Sequence, residues 1–281
     1  MTGSPVTVVE GLAFPEGPRW RDGALYFSDV HSHQVLRLRE GRLEVLAHIP
    51  GKPSGLGFLD DDTLLVASQH DRSVYRVDLR VPARAPVLHA DLSSLTTWHV
   101  NDLLTDAAGR AYVGNYGSAA PPGEPIAPAT LVLVETDGSS RVVAEDLYFP
   151  NGMALRSGGT ELVVAETRAE PGRLTVFDVA PDGGLSGRRT LIEFDVEWPD
   201  GIAIDSEDAV WVASPFSGEV VRVDAGGVVT DRLAIDDPYA VALGGADGRD
   251  LFVCTARTWL PQEAAAERRG AIRALRVRVP R

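Results

Sequence analysis

Short apolar runs rich in β-branched and aromatic residues recur along the whole chain, separated by turns rich in Asp and Gly. Ala24-Leu25-Tyr26-Phe27, Thr63-Leu64-Leu65-Val66-Ala67, Leu162-Val163-Val164-Ala165 and Val210-Trp211-Val212-Ala213 are typical, and each follows a turn such as Arg21-Asp22-Gly23, Asp60-Asp61-Asp62 or Ser157-Gly158-Gly159. Runs this short, bounded by turn residues, predict strands buried on both faces rather than helices. Less apolar segments follow each run, among them Gln34-Val35-Leu36-Arg37-Leu38 and Leu43-Glu44-Val45-Leu46 in the first repeat, and they predict outer strands half open to water.

One phrase precedes every such set. Its six copies are Phe14-Pro15-Glu16-Gly17, Lys52-Pro53-Ser54-Gly55, His99-Val100-Asn101-Asp102, Phe149-Pro150-Asn151-Gly152, Trp198-Pro199-Asp200-Gly201 and Asp237-Pro238-Tyr239-Ala240. Their third residues, at positions 16, 54, 101, 151, 200 and 239, are spaced by 38, 47, 50, 49 and 39 residues. That is close to the roughly 40–50-residue period of propeller blades. The sixth repeat supplies apolar runs at 241–243, 250–253 and 270–279 and then lacks a fourth strand, whereas residues 5–9 form a β-rich segment ahead of the first phrase. The expected fold is therefore an all-β, six-bladed β-propeller of four-stranded blades, closed by the N-terminal strand pairing with the last blade, so that no edge stays open. Residues 1–281 are expected to form one domain. The Pro- and Ala-rich insertion at 118–129 in the third repeat is expected as a surface loop at the mouth, where it could serve as a lid.

Charge changes the picture by exclusion. With 40 acidic against 27 basic residues and a net charge of −13, the chain is no general nucleic-acid binder, which needs clustered Lys and Arg. Residues 1–10 lack a basic start followed by an apolar core, and no apolar run approaches the ~20 residues of a membrane span. A cytoplasmic protein with no membrane partner is expected. Cys254, the only cysteine, stands in a strand-like run and reads as an inert core thiol. His31, His33 and His48 show no zinc-type spacing, and there is no GxSxG elbow, Walker loop or dinucleotide fingerprint.

Chemistry is concentrated in the third residue of the phrase. Inner strands of a propeller line its central channel, so Glu16, Asn101, Asn151 and Asp200 are expected to point oxygens into one narrow mouth. Carboxylates buried together repel unless a cation or hydrogen bonds compensate, or unless the pair shares a proton. Glu16, Asp200 and the amide oxygen of Asn151 make a hard, all-oxygen set suited to Ca²⁺ or Mg²⁺. Second strands return to the same mouth and bring Asp29, Gln69, His70, Asn115, Tyr116, Glu166 and Ser214 as candidate wall residues, each of which could equally serve to cap a turn.

Phe14-Pro15-Glu16-Gly17-Pro18-Arg19-Trp20, Asn101-Asp102 with 106–112, Pro150-Asn151-Gly152-Met153-Ala154-Leu155 and Pro199-Asp200-Gly201-Ile202-Ala203-Ile204-Asp205 resemble the motifs of the SMP-30/gluconolactonase/regucalcin-like family. The resemblance implies that Glu16, Asn151 and Asp200 bind one divalent cation, calcium first with magnesium, manganese or zinc as alternatives. It also implies hydrolysis of a small-molecule sugar lactone or related cyclic ester. Where sugar-lactone members commonly carry Arg, this chain has His99; their Gly is Leu103, and their loop acid has no counterpart among Ser118, Ala119 and Ala120. The reading is a metal-dependent lactonase with a metal-activated water and Asp200 as general base. Asn101 and His99 would orient the ring, and Asn115, Tyr116 and Glu166 would join them around the substrate. Two alternatives stay open: a propeller phosphotriesterase, or a non-enzymatic propeller that binds calcium or senses sugar acids.

Overall fold

Each repeat folds into one antiparallel sheet in the computed structural model, which describes residues 4–119, 124–196 and 198–281. The first blade runs Pro15–Arg21, Ala24–Asp29, Gln34–Arg39 and Arg42–His48, with each strand hydrogen-bonded to the next. The inner strands of the others are Pro53–Phe58, Val100–Thr105, Pro150–Arg156, Ile202–Ile204 and Pro238–Gly244. The sixth sheet takes Pro238–Gly244, Asp250–Thr255 and Gly270–Arg276 from the end of the chain and Val6–Leu12 from its beginning. The fold is the expected six-bladed propeller, closed by its N-terminal strand.

The core consists of six wedges between blades. Ala111, Val113, Val132 and Val134 pack toward the second blade, while Tyr112, Leu131 and Leu133, alternating with them, pack toward the fourth. Alternate side chains of a strand point to opposite faces, so a strand covered on both sides must be apolar at nearly every position. This is why the second strands read as unbroken apolar runs. Cys254 lies in the wedge between the sixth and first blades, fully buried.

A break in pairing aims the key residues. In the first blade the register shifts between Glu16 and Arg19, in the second between Pro53 and Leu56, in the third between Val100 and Leu103, and in the fourth between Pro150 and Met153. Bulges bend a strand and re-aim the side chain at the bend. The glycine that follows lets neighbouring inner strands close on the axis: a Cβ on Gly152 would stand 2.4 Å from the carbonyl oxygen of Asp200, and one on Gly17 would stand 2.6 Å from that of Ser54.

Two features lie outside the regular blades. A seven-residue helix, Pro261–Glu267, which the sequence pattern does not announce, sits between the second and third strands of the sixth blade and packs against the turn Val30–Ser32. The insertion places Ser118, Ala119 and Ile126 at the mouth of the channel; Ala120 lies outside the described residues. Among the described residues, no helix is long and apolar enough to cross a membrane.

Candidate functional site

Four of the key residues meet at the bottom of a cavity of about 350 Å³: Glu16, Asn101, Asn151 and Asp200. A directed set of hydrogen bonds links them. Ser54 Oγ donates to Asn101 Oδ1 at 3.0 Å, Asn101 Nδ2 donates to Asn151 Oδ1 at 2.8 Å, and Asn151 Nδ2 donates to Asp200 Oδ1. Among the described residues, Glu16 receives the backbone N–H of Gly17 alone, at 3.0 Å. Arg19 is turned away, its Nη2 donating to Asp102 and to the carbonyl of Leu103.

The two carboxyls are therefore held together with little compensation. Burial pushes the Glu16 carboxyl up to about 8, the Gly17 N–H opposes this, and the charge of Asp102 adds to it. Burial and then the charge of Glu16 raise Asp200 well above the usual carboxylate range. The phenols of Tyr116 and Tyr239 are raised by burial and by the same two carboxyls, which places both acids near both rings.

The other expected residues divide. Tyr116 lines the cavity, its hydroxyl accepting from Gln69 Nε2 at 3.1 Å, and Gln69 also lines it. His99, Asn115 and Glu166 are not among the lining residues. His99 stacks on Trp98 with centroids 4.7 Å apart and on His70 at 4.5 Å. Asn115 is buried, its Oδ1 accepting from Thr97 and from the backbone of Gly117 and its Nδ2 donating to the carbonyl of Thr130. Glu166 accepts from the backbone N–H of Tyr148, from Arg173 and from Thr175.

A repeated device accounts for these positions. Asp29 accepts from the backbone N–H groups of Ala13 and Phe14, Glu166 from that of Tyr148, and Ser214 from that of Trp198. The last side chain of the second strand thus ties down the segment entering the phrase of its own repeat, and its polar atoms are spent there. The cavity wall comes instead from residues that polar-group reasoning passes over: Phe14, Phe149, Trp198, Phe216, Tyr239 and Trp259, with Thr167 and Arg168 beside them. A signal for three of them was present, since an aromatic residue precedes Pro15, Pro150 and Pro199, in the repeats that carry Glu16, Asn151 and Asp200.

The sequence profile of the SMP-30/gluconolactonase/LRE-like region matches residues 14–257. The chain belongs to this family. Relatives within reach include the pentonolactonase XacC of Haloferax volcanii, 32% identical over 86% of this chain and 81% of that one. A 6-deoxy-6-sulfogluconolactonase of Pseudomonas putida is 26% identical over 94% of this chain and 91% of that one. Among solved structures, a calcium-binding regucalcin of Agrobacterium tumefaciens superposes with a TM-score of 0.81 at 23% identity, covering 99% of this chain and 95% of that one. In this SMP-30/gluconolactonase-type propeller, the described residues offer no group of three or more His, Cys, Asp or Glu side chains disposed around a metal. Glu16 and Asp200 bring only two such side chains, and Asn151 would have to complete the set.

Proposed function

We propose that the protein is a divalent-cation-dependent hydrolase that opens a sugar lactone or related cyclic ester. The observation that carries the reading is the convergence of Glu16, Asn151 and Asp200 at the floor of a concave cavity, with two carboxyls whose repulsion the surrounding protein leaves largely uncompensated. Such a set suits a hard cation in both charge and donor type. Glu16 and Asp200 would hold it through carboxylate oxygens. Asn151 would hold it through its carboxamide oxygen, which accepts from Asn101 and keeps a second lone pair. A bound cation supplies Lewis acidity toward the ester carbonyl and lowers the pKa of water in the site. The names of the lactonases among the relatives support the ester as substrate.

Within this frame the chain's own residues divide the work. Asp200, as carboxylate, takes a proton from the attacking water while the water oxygen forms its bond to the carbonyl carbon. The ring C–O bond then breaks, and that proton passes to the departing alkoxide, leaving a hydroxy acid. Asn101, fixed by Ser54 and Gln69, orients Asn151. The aromatic walls restrict water around the reacting ester.

The test is Asp200→Ala in a lactone panel read by acid release with Ca²⁺, Mg²⁺, Mn²⁺ and Zn²⁺ in turn. Turnover should fall by about 10²–10⁴ and calorimetric cation binding should weaken. Unchanged turnover in the variant would sink the proposal.

A further inference from the structure

The walls of the cavity differ in kind from its floor. Phe14, Phe149 and Trp198 line the cavity with Glu16, Asn151 and Asp200, each two residues ahead of its floor group along the chain, whereas the other three repeats carry Lys52, His99 and Asp237 at that place. The rings are braced in pairs. Phe14 meets Tyr239 edge-on with centroids 4.7 Å apart, Phe149 tilts over Tyr116 at 4.3 Å, and Trp198 meets Phe216 edge-on at 5.2 Å. Trp259 joins them from the sixth blade, its carbonyl accepting from His31 Nε2 at 3.0 Å.

Several polar groups on these walls are already partly engaged within the protein, while His31 Nδ1 is left without a partner among the described residues. The amide of Gln69 donates to Asn101 and to the Tyr116 hydroxyl. Thr167 donates to the carbonyl of Pro199 and accepts from Asn151, and Ser118 Oγ accepts from the backbone of Ala127. A fully hydroxylated lactone needs a partner for each hydroxyl it buries, and a hydroxyl left without one opposes binding. Sugars do stack on aromatic faces, but only where polar side chains around the ring remain to receive their hydroxyls. At the same time Phe216 and Trp259 stand 56% and 41% exposed at the mouth, large apolar surfaces that a ligand would cover.

We propose that the lactone opened here carries an apolar or aromatic substituent, seated against Phe149, Trp198, Phe216 and Trp259, with only its ester turned to Glu16, Asn151 and Asp200. This rests on the ester-opening reading above. It places the selectivity of the site in the aromatic wall and its reactivity in the polar floor.

The experiment uses the full chain with Ca²⁺ or Mn²⁺ added and compares kcat and KM for δ-phenyl-δ-valerolactone and δ-nonalactone with those for glucono-δ-lactone. Wild type should favour the apolar lactones by roughly tenfold or more in kcat/KM. Phe216→Ala and Trp259→Ala, both at exposed positions, should each raise KM for them by about tenfold with Tm nearly unchanged, and should raise KM for the hydroxylated lactone by clearly less. Preference for glucono-δ-lactone, or variants that do not move KM, would overturn the proposal while leaving the hydrolase reading intact. If no lactone is opened, the hydrolase reading fails. The wall is then judged by tryptophan fluorescence with the unreactive lactams: selective binding of δ-phenyl-δ-valerolactam over gluconolactam supports it, and equal or reversed binding overturns it.

Discussion

Two buried carboxyls of opposite character stand on neighbouring blades. Glu166 is fully buried at the end of the second strand of the fourth blade, opposite Pro150, and Asp200 stands on the neighbouring blade. Burial pushes the Glu166 carboxyl up, but Arg173, Thr175 and the Tyr148 N–H outweigh it and hold the group below the usual carboxylate range. Arg188 adds a second guanidinium at 3.2 Å. Among the described residues Asp200 has no such cation: Asn151 and the Gly201 backbone oppose the shift, and burial and Glu16 prevail. The protein invests in the charge of the first and leaves the second under tension. A buried acid that its own chain satisfies belongs to the architecture. One that its chain leaves unsatisfied is kept for something that arrives from outside.

The comparison can be broken from either side. The largest effect is expected from Glu166→Ala, which strands Arg173, takes the carboxylate from Arg188 and frees the Tyr148 N–H, and should lower stability by about 3 kcal/mol in chemical denaturation. Equal stability of the variant and wild type would show that the ion pairs contribute nothing net. The second prediction is a pH dependence of opposite sign for the two sites. A carboxyl raised on folding, such as Glu16, binds its proton more tightly in the folded state. Its contribution is fully present below about 4.5 and is lost as pH climbs toward about 8, with a slope on the order of 1 kcal/mol per pH unit for one group. Glu166, lowered on folding, instead loses its contribution as pH falls through the acid range. Chelated protein should therefore lose stability from pH 5 to 8, and added Ca²⁺ should reverse the trend, because ligands must lose their protons to bind a metal. A flat or rising curve for the chelated protein would remove the uncompensated pair. The smallest effect is expected from His99→Ala: the ring stacks on Trp98 and His70 outside the cavity lining, so kcat/KM should change less than about threefold and stability by about 0.5 kcal/mol or less.

Most of the architecture was legible because it repeats. Six copies of the phrase fix blade number, inner strand and the height of each key residue together, and the missing last strand points to closure by the first. The floor was legible for the same reason, since Glu16, Asn101, Asn151 and Asp200 occupy equivalent places on the ring. The walls were harder to read. Asn115 and Glu166 reach the mouth along the backbone, yet which way an end residue spends its polar atoms depends on the side of its own blade that faces it, 15 and 18 residues away. Trp259 depends on an irregular segment held to His31, more than two hundred residues away. Phe14, Phe149 and Trp198 were visible, but they read as apolar residues ahead of a strand. Only the cavity gives their alignment with the acids its meaning.

The seam of the ring also has a history in time. Val6–Leu12 precedes every other strand of the ring along the chain and Gly270–Arg276 follows them, yet they pair from Val6 with Ala274 to Leu12 with Gly270 across two register shifts. During synthesis the early strand must wait for a partner about 260 residues away, a loop whose closure is slow because it orders so much chain at once. Five blades can form by local hairpins while the sixth stays open, with Gly270–Arg276 presenting a bare edge until the first strand arrives. Closing this ring thus means joining the first of its strands along the chain to the last.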